Sequence, residues 1–193
     1  MFALKLERVL AEKGIHYAWF MAFISFFLLM FSSSAASTPA VLMLPIIKAF
    51  GWSITDISAI IGALFIIVAV AAPFGTAFML HLGLTKIVVI SCVSLIAGLG
   101  LTTFALEKWH LFFSMGTLLG LASGILSLGF SATVATRWFV EKRGLVLGIL
   151  AASWAAGQIM LVPFIAWIVS NFDWQYGVIP GITGAGVCLL PVS

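Results

Sequence analysis

Residues 136–148 read TRWFVEKRGLVLG, and their charge is out of keeping with everything around them. Four charged side chains, Arg137, Glu141, Lys142 and Arg143, fall within seven positions, yet the 193-residue chain has only fifteen charged residues. Elsewhere the sequence is close to hydrocarbon. It is 63% hydrophobic and 8% charged, whereas a soluble domain carries about 25% charged residues. A water-soluble fold of this length has too much surface to hide so much apolar side chain. The solvent implied is lipid.

The charges cut the chain into uncharged runs at 14–47, 57–85, 87–106, 109–136, 144–172 and 174–193. Each is long enough for a helix to cross a hydrocarbon core of ~30 Å, which takes about 20 residues. Backbone polar groups cannot stay unpaired there, so a span is a helix or part of a closed barrel. A barrel would alternate in polarity over stretches of about ten residues, and these runs do not alternate. The expected fold is therefore an all-α membrane protein with six transmembrane helices. A short segment, 1–14, precedes a bundle over 15–193, with spans near 15–40, 54–79, 84–105, 109–136, 143–169 and 175–193. The first apolar run is too long for the core of a removable signal peptide. Cys92 and Cys188 fall inside spans without metal-ligand spacing and read as packing residues.

Six spans alternate in direction, so the basic residues can be sorted by side. Lys5, Arg8, Lys13, Lys86, Arg137, Lys142 and Arg143 share one side, and only Lys48 and Lys108 occupy the other. The positive-inside rule then predicts a cytoplasmic N-terminus. The 136–148 island becomes the cytoplasmic connection between the fourth and fifth helices. Arg137 lies at a helix C-terminus, where a cation meets the negative end of the dipole, and Glu141 precedes a helix, where an anion is favoured. Lys142 and Arg143 sit at the unfavourable end of the fifth helix. Orientation or a partner, not helix stability, must explain them.

On the outer side, Ser53 and Asp56 have capping-box spacing at the start of the second helix. Asp56 reads as a cap rather than a coupling carboxylate. Close helix packing is expected at Gly116, Gly120 and Gly124 in the fourth helix and at Gly144 and Gly148 in the fifth. Small residues four apart let a neighbouring backbone approach. Pro39 and Pro45 are expected to break or kink the outer end of the first helix.

Polar side chains inside the spans are few. Ser32, Ser33 and Ser34 cannot all face one neighbour, because each residue turns the helix by ~100°. Some must return their hydroxyls to the backbone. Gln158 sits near the middle of the fifth span, one turn after Trp154. Its amide needs another helix, a hydrated cavity or a ligand. It either bonds across helices or faces a cavity, with Trp154 as a wall and Ser33 and Ser37 among the other liners. No span has Asp, Glu, Lys or Arg near its centre, so the groups usual in proton relays are missing from these helices.

Three longer stretches resemble the N-terminal half of major facilitator superfamily transporters, in the monocarboxylate-porter and oxalate/formate-antiporter branch. They are AFGWSITDISAIIGALFIIVAVAAPF (49–74), GLASGILSLGFSATVATRWFVEKRGLVLGI (120–149) and AASWAAGQIMLVPFIAWI (151–168). The most specific signal is Arg137-Trp138-Phe139, then Lys142-Arg143-Gly144-Leu145, then Gly148, at matching spacing. NFDWQY (171–176) resembles the family's short outer loop before the sixth helix. The similarity covers about 45–193.

The resemblance implies one half of a two-half fold, itself an inverted pair of three-helix repeats. Substrate would lie between the halves near the midplane. It implies secondary transport of a small organic anion, in particular a monocarboxylate, by symport or antiport in the cell membrane. It implies a second six-helix half or a second copy as partner, and no enzyme activity, cofactor, metal or nucleic acid. Ser33, Ser37, Trp154 and Gln158 would line the cavity, and Arg137, Glu141, Lys142 and Arg143 would form the cytoplasmic gate. Three features depart from the family, one being that no residue between Lys108 and Arg137 is charged, where many proton-coupled relatives carry an arginine in helix four. Leu80 and His81 stand where an Asp-Arg pair is usual in the loop between helices two and three, and Gln175 stands where Arg is frequent. The alternative reading is a truncated or degenerate membrane module without transport activity of its own.

Overall fold

The computed structural model describes residues 17–189. Within them the chain is helical: α1 (Tyr17–Phe50), α2 (Ile54–Leu82), α3 (Leu84–Thr102), α4 (Lys108–Trp138), α5 (Arg143–Asn171) and α6 (Ile179–Leu189), the last preceded by a 3-10 turn at Trp174–Val178. The first five are long and apolar enough to cross a membrane. The sixth has eleven described residues, and the end of the span expected over 175–193 lies outside them. So do Lys5, Arg8 and Lys13.

The helices depart from the expected spans in two places. Pro39 and Pro45 do not end α1, which runs on to Phe50. Inside a bundle, neighbouring helices and hydroxyls re-satisfy the backbone groups that proline frees. Second, α4 is not one regular helix. It starts as α at Lys108–Leu111, widens to a π-helix over Phe112–Leu119, returns to α over Gly120–Ile125, breaks at Leu126 and Ser127, and resumes at Leu128–Trp138.

Hydroxyls inside the spans mostly bond their own helix. Ser34 donates to the Phe31 carbonyl at 3.0 Å, Thr38 to Ser34 at 3.0 Å, Ser91 to Ile87 at 2.9 Å and Thr102 to Gly98 at 2.8 Å. This is how a polar side chain is tolerated where water is absent.

The ends sort into two groups. At one end Phe50 stacks on Trp52 with ring centres 4.7 Å apart and meets Trp174 at 6.0 Å. There Gln175 donates to the Thr103 carbonyl at 3.3 Å. Ser53 and Asp56 close the capping box, each bonding the other's backbone N–H at 3.2 Å. Asp56 also pairs with Lys108 at 2.6 Å, tying the starts of α2 and α4 together. At the other end Trp19 meets Phe139 edge-on at 5.3 Å, bringing the start of α1 to the 138–143 connection. Gly83 turns α2 into α3 in a single residue at φ +93°, a conformation that disfavours any side chain. Leu80 and His81 beside it are exposed, and neither joins an ion pair among the described residues.

α2 packs closely against α4. A Cβ on Gly120 would lie 3.1 Å from the Leu64 carbonyl oxygen, and one on Gly124 would lie 2.7 Å from that of Val68. The two helices run in parallel, in register, four residues at a time. Gly116 continues the stripe with looser contacts of 3.8 Å. Gly144 and Gly148 do not act this way. A Cβ on either would meet nothing within 4 Å, so the stripe expected on α5 packs against no described residue. The tight residue of α5 is Gly157.

Candidate functional site

Gln158 is positioned by its neighbours in sequence. Pro163, five residues on, has no N–H to give the helix ladder. Just before it, α5 loosens into a π turn at Gly157–Leu161, the kind of adjustment that absorbs a proline within a span. A Cβ on Gly157 would strike the Met30 carbonyl oxygen of α1. With none there, α1 and α5 lie almost backbone to backbone. That approach brings Gln158 onto the serines of α1. Its Nε2 donates to the Ser37 hydroxyl at 2.6 Å, the Ser33 hydroxyl at 3.1 Å and the Ser33 carbonyl at 3.3 Å. The Ser37 hydroxyl lies 2.9 Å from Gln158 Oε1, to which it can donate. The Ser33 hydroxyl donates to the Trp154 carbonyl at 2.8 Å.

The four residues singled out from sequence are thus gathered in one place, but as a hydrogen-bonded clamp between α1 and α5. Ser33 is buried, while Ser37 and Gln158 are half-buried. Such bonds within membranes average about 0.6 kcal/mol and reach about 1.7 kcal/mol. A double-mutant cycle of Gln158→Ala and Ser37→Ala, read by unfolding in micelles, is expected to give a coupling near 1 kcal/mol. A coupling indistinguishable from zero would mean the two side chains act separately.

Trp154 has a second role. With Leu29, Val68, Leu150, Ala151, Leu128, Ser127 and Ser131 it lines a cavity of about 340 Å³. Four helices, α1, α2, α4 and α5, meet there near their midpoints. No charged side chain is among the lining residues. Ser127 and Ser131 are not among the cavity residues expected from sequence. The helix break that turns them to the cavity carries no proline or glycine at Leu126 or Ser127 to announce it.

At the 138–143 connection, Arg143 Nε donates to the Phe139 carbonyl at 2.7 Å. A cation at the wrong end of α5 is therefore a cap on the end of α4, where the carbonyls lack helical partners. Lys142 is the N-cap residue of α5, without a side-chain cap bond. Arg137 and Glu141 are exposed.

Comparison with known proteins agrees with this architecture. The Major Facilitator Superfamily profile matches residues 19–192. Monocarboxylate transporter 9 of Pongo abelii is 30% identical over 162 residues, covering 77% of this chain and 30% of the relative. Monocarboxylate transporter 9 of Mus musculus is 29% identical over the same length and shares. Monocarboxylate transporter 13 of Rattus norvegicus is 29% identical over 106 residues, 54% of this chain and 24% of the relative. The chain spans less than a third of the length of these relatives. A profile match over nearly all the described helices, on an all-helical bundle of membrane-length spans, makes this chain a member of the Major Facilitator Superfamily.

Proposed function

We propose that the chain is the N-terminal half of a secondary transporter that moves a small organic anion, in particular a monocarboxylate, by alternating access. The observation that carries this reading is the cavity where α1, α2, α4 and α5 meet near their midpoints, on a chain of this superfamily. The relatives named for monocarboxylates support the substrate class. A second six-helix half, or a second copy, would close the other side of the site, and the chain would do no covalent chemistry. Trp154 walls the cavity, and Ser33, Ser37 and Gln158 hold α1 to α5 as a unit beside it. The glycine contacts and Pro163 let helices bend as the halves rock.

Residues 15–193 would form six spans in the cell membrane, with 1–14 in the cytoplasm. Charge supports that orientation. Among the described residues, Lys86, Arg137, Lys142 and Arg143 share one end with Glu141, whereas Lys48 and Lys108 share the other with Asp56, Glu107 and Asp173. Arg137, Glu141, Lys142 and Arg143 would then edge the cytoplasmic gate.

Two measurements test the reading on protein expressed from the complete gene. In proteoliposomes, saturable uptake or exchange of short monocarboxylates is expected, and failure with every carboxylate tried would overturn the transport assignment. Val140→Cys is expected to react with impermeant reagents only from the cytoplasmic side. Labelling from outside intact cells would reverse the orientation.

A further inference from the structure

Lys142 stands at the unfavourable end of α5, and the fold gives it no partner. Arg143 beside it bonds the Phe139 carbonyl. Lys142 is exposed, makes no cap bond and joins no ion pair among the described residues. With Trp19, Trp138 and Glu141 it lines an opening of about 390 Å³ at this end of the bundle. Tryptophan favours the headgroup level of a bilayer, so the two indole rings put this opening where the hydrocarbon begins.

A second opening, of about 340 Å³, adjoins the first through Trp19, which lines both. Its walls are apolar. Trp19, Phe23 and Phe26 come from α1, and Val146 and Ile149 from α5. The spacing joins the two openings into one groove. Lys142, Val146 and Ile149 stand four and three residues apart, and so do Trp19, Phe23 and Phe26. Residues spaced in this way share a helix face. At 1.5 Å per residue the stripe from Lys142 to Ile149 is roughly 10 Å long. It starts at a cation and ends in hydrocarbon.

This groove is separate from the central cavity, with which it shares no described residue. Ala151 and Trp154 line the cavity. At ~100° per residue, Ile149 lies about 160° and about 140° round α5 from them. The groove therefore opens on the outer flank of the bundle, toward lipid. Phe23 is 61% exposed and Ile149 37%, so its walls are bare to whatever fills that flank.

We propose that the groove binds one anionic phospholipid of the cytoplasmic leaflet. The Lys142 ammonium donates to its phosphate, and one acyl chain lies between α1 and α5 against Phe23, Phe26, Val146 and Ile149. An amphiphile fits because the groove is charged at one end only. Basic pockets between spans on the cytoplasmic side suit anionic headgroups. Arg137, Lys142 and Arg143 outnumber Glu141 in the connection, which sets the sign of the ligand. Glu141, at the same mouth, opposes a headgroup with several phosphates and favours one with a single phosphate. The leaflet follows from the orientation proposed above; the meeting of a cation with an apolar groove does not depend on transport.

Titration of phosphatidylglycerol into protein from the complete gene, in micelles of an uncharged detergent, tests this. Saturable binding is expected, roughly fivefold tighter than that of phosphatidylcholine with the same chains. Lys142→Gln should weaken it roughly fivefold, as expected for one basic residue at a membrane surface. The melting temperature without lipid should not change, since the side chain has no partner to lose. Lys86→Gln, at the same end but outside the groove, should leave binding intact. Equal losses in these two variants would mean a diffuse basic surface and overturn the site. Ile149→Trp, which fills the groove, should weaken binding roughly tenfold, as losing contact for about two methylene groups would. Wild-type affinity in that variant, or glycerol phosphate bound as tightly as the whole lipid, would remove the acyl slot. Glu141→Gln should tighten binding. Weaker binding there, with phosphatidylethanolamine preferred by the native protein, would mean that the mouth recognises a zwitterion and would overturn the anionic assignment.

Discussion

Gly157→Leu is expected to separate α1 from α5 and lower stability by about 3 kcal/mol, the upper range for overpacking a close contact. The reason is that the atom in the way is backbone. A Cβ here meets the Met30 carbonyl oxygen, and its next neighbours are the Met30 carbonyl carbon and the Ser33 Cβ, both at 3.1 Å. A flexible side chain could swing aside, but a carbonyl inside α1 moves only with its helix. Separation also dismantles the Gln158 clamp, which depends on α1 and α5 being this close. Gln158→Leu should therefore matter in the native background and cost little more once Gly157→Leu is present. Non-additivity of that kind marks residues sharing one contact. Thermal or denaturant unfolding in micelles reads both effects. Gly144→Leu is the control, with open space at its Cβ position and an expected change within about 0.5 kcal/mol. Equal effects at 157 and 144 would remove the close approach as the explanation.

Much of this architecture is legible in sequence, for a physical reason. Lipid forbids unpaired backbone, so runs of uncharged residues leave few options and the spans can be read from length. The capping box at Ser53 and Asp56 is legible because it is local. What spans the bundle is not. Gln158 stands out as a polar residue at depth, and Ser33 and Ser37 stand out in α1. That they meet depends on packing across more than 120 residues of chain. The Asp56–Lys108 pair was missed for the same reason. Glycine spacing marks a face but does not say what lies opposite. Gly120 and Gly124 meet the backbone of α2, while Gly144 and Gly148 at identical spacing meet nothing. The α4 break is the least legible feature. Leucine and serine form ordinary helix within a span, so its cause is tertiary: the neighbours of Ser127 leave it facing a cavity.

The same reasoning predicts a graded series along α4. Gly116→Ala should be neutral or stabilise by up to about 1 kcal/mol, because alanine is the better helix former and the site has only ordinary contacts of 3.8 Å and beyond. Gly120→Ala should lie between. Its nearest neighbour is the Ile67 Cγ2 at 3.0 Å, and that methyl group can yield, but the Leu64 carbonyl at 3.1 Å cannot. Gly124→Ala should be clearly destabilising, by about 2 kcal/mol. There a methyl group would sit 2.7 Å from the Val68 oxygen and 2.8 Å from the Ala71 Cβ. Neither atom can turn away without moving α2. Val68 also lines the cavity, so any shift of α2 that accommodates the methyl group reshapes the cavity wall. The substitution should lower uptake along with stability, whereas Gly116→Ala leaves both intact. Melting temperatures of the three variants, measured in one detergent, decide the matter. The sign should change between positions 116 and 124. A flat series would mean that α2 and α4 do not approach as closely as their register requires.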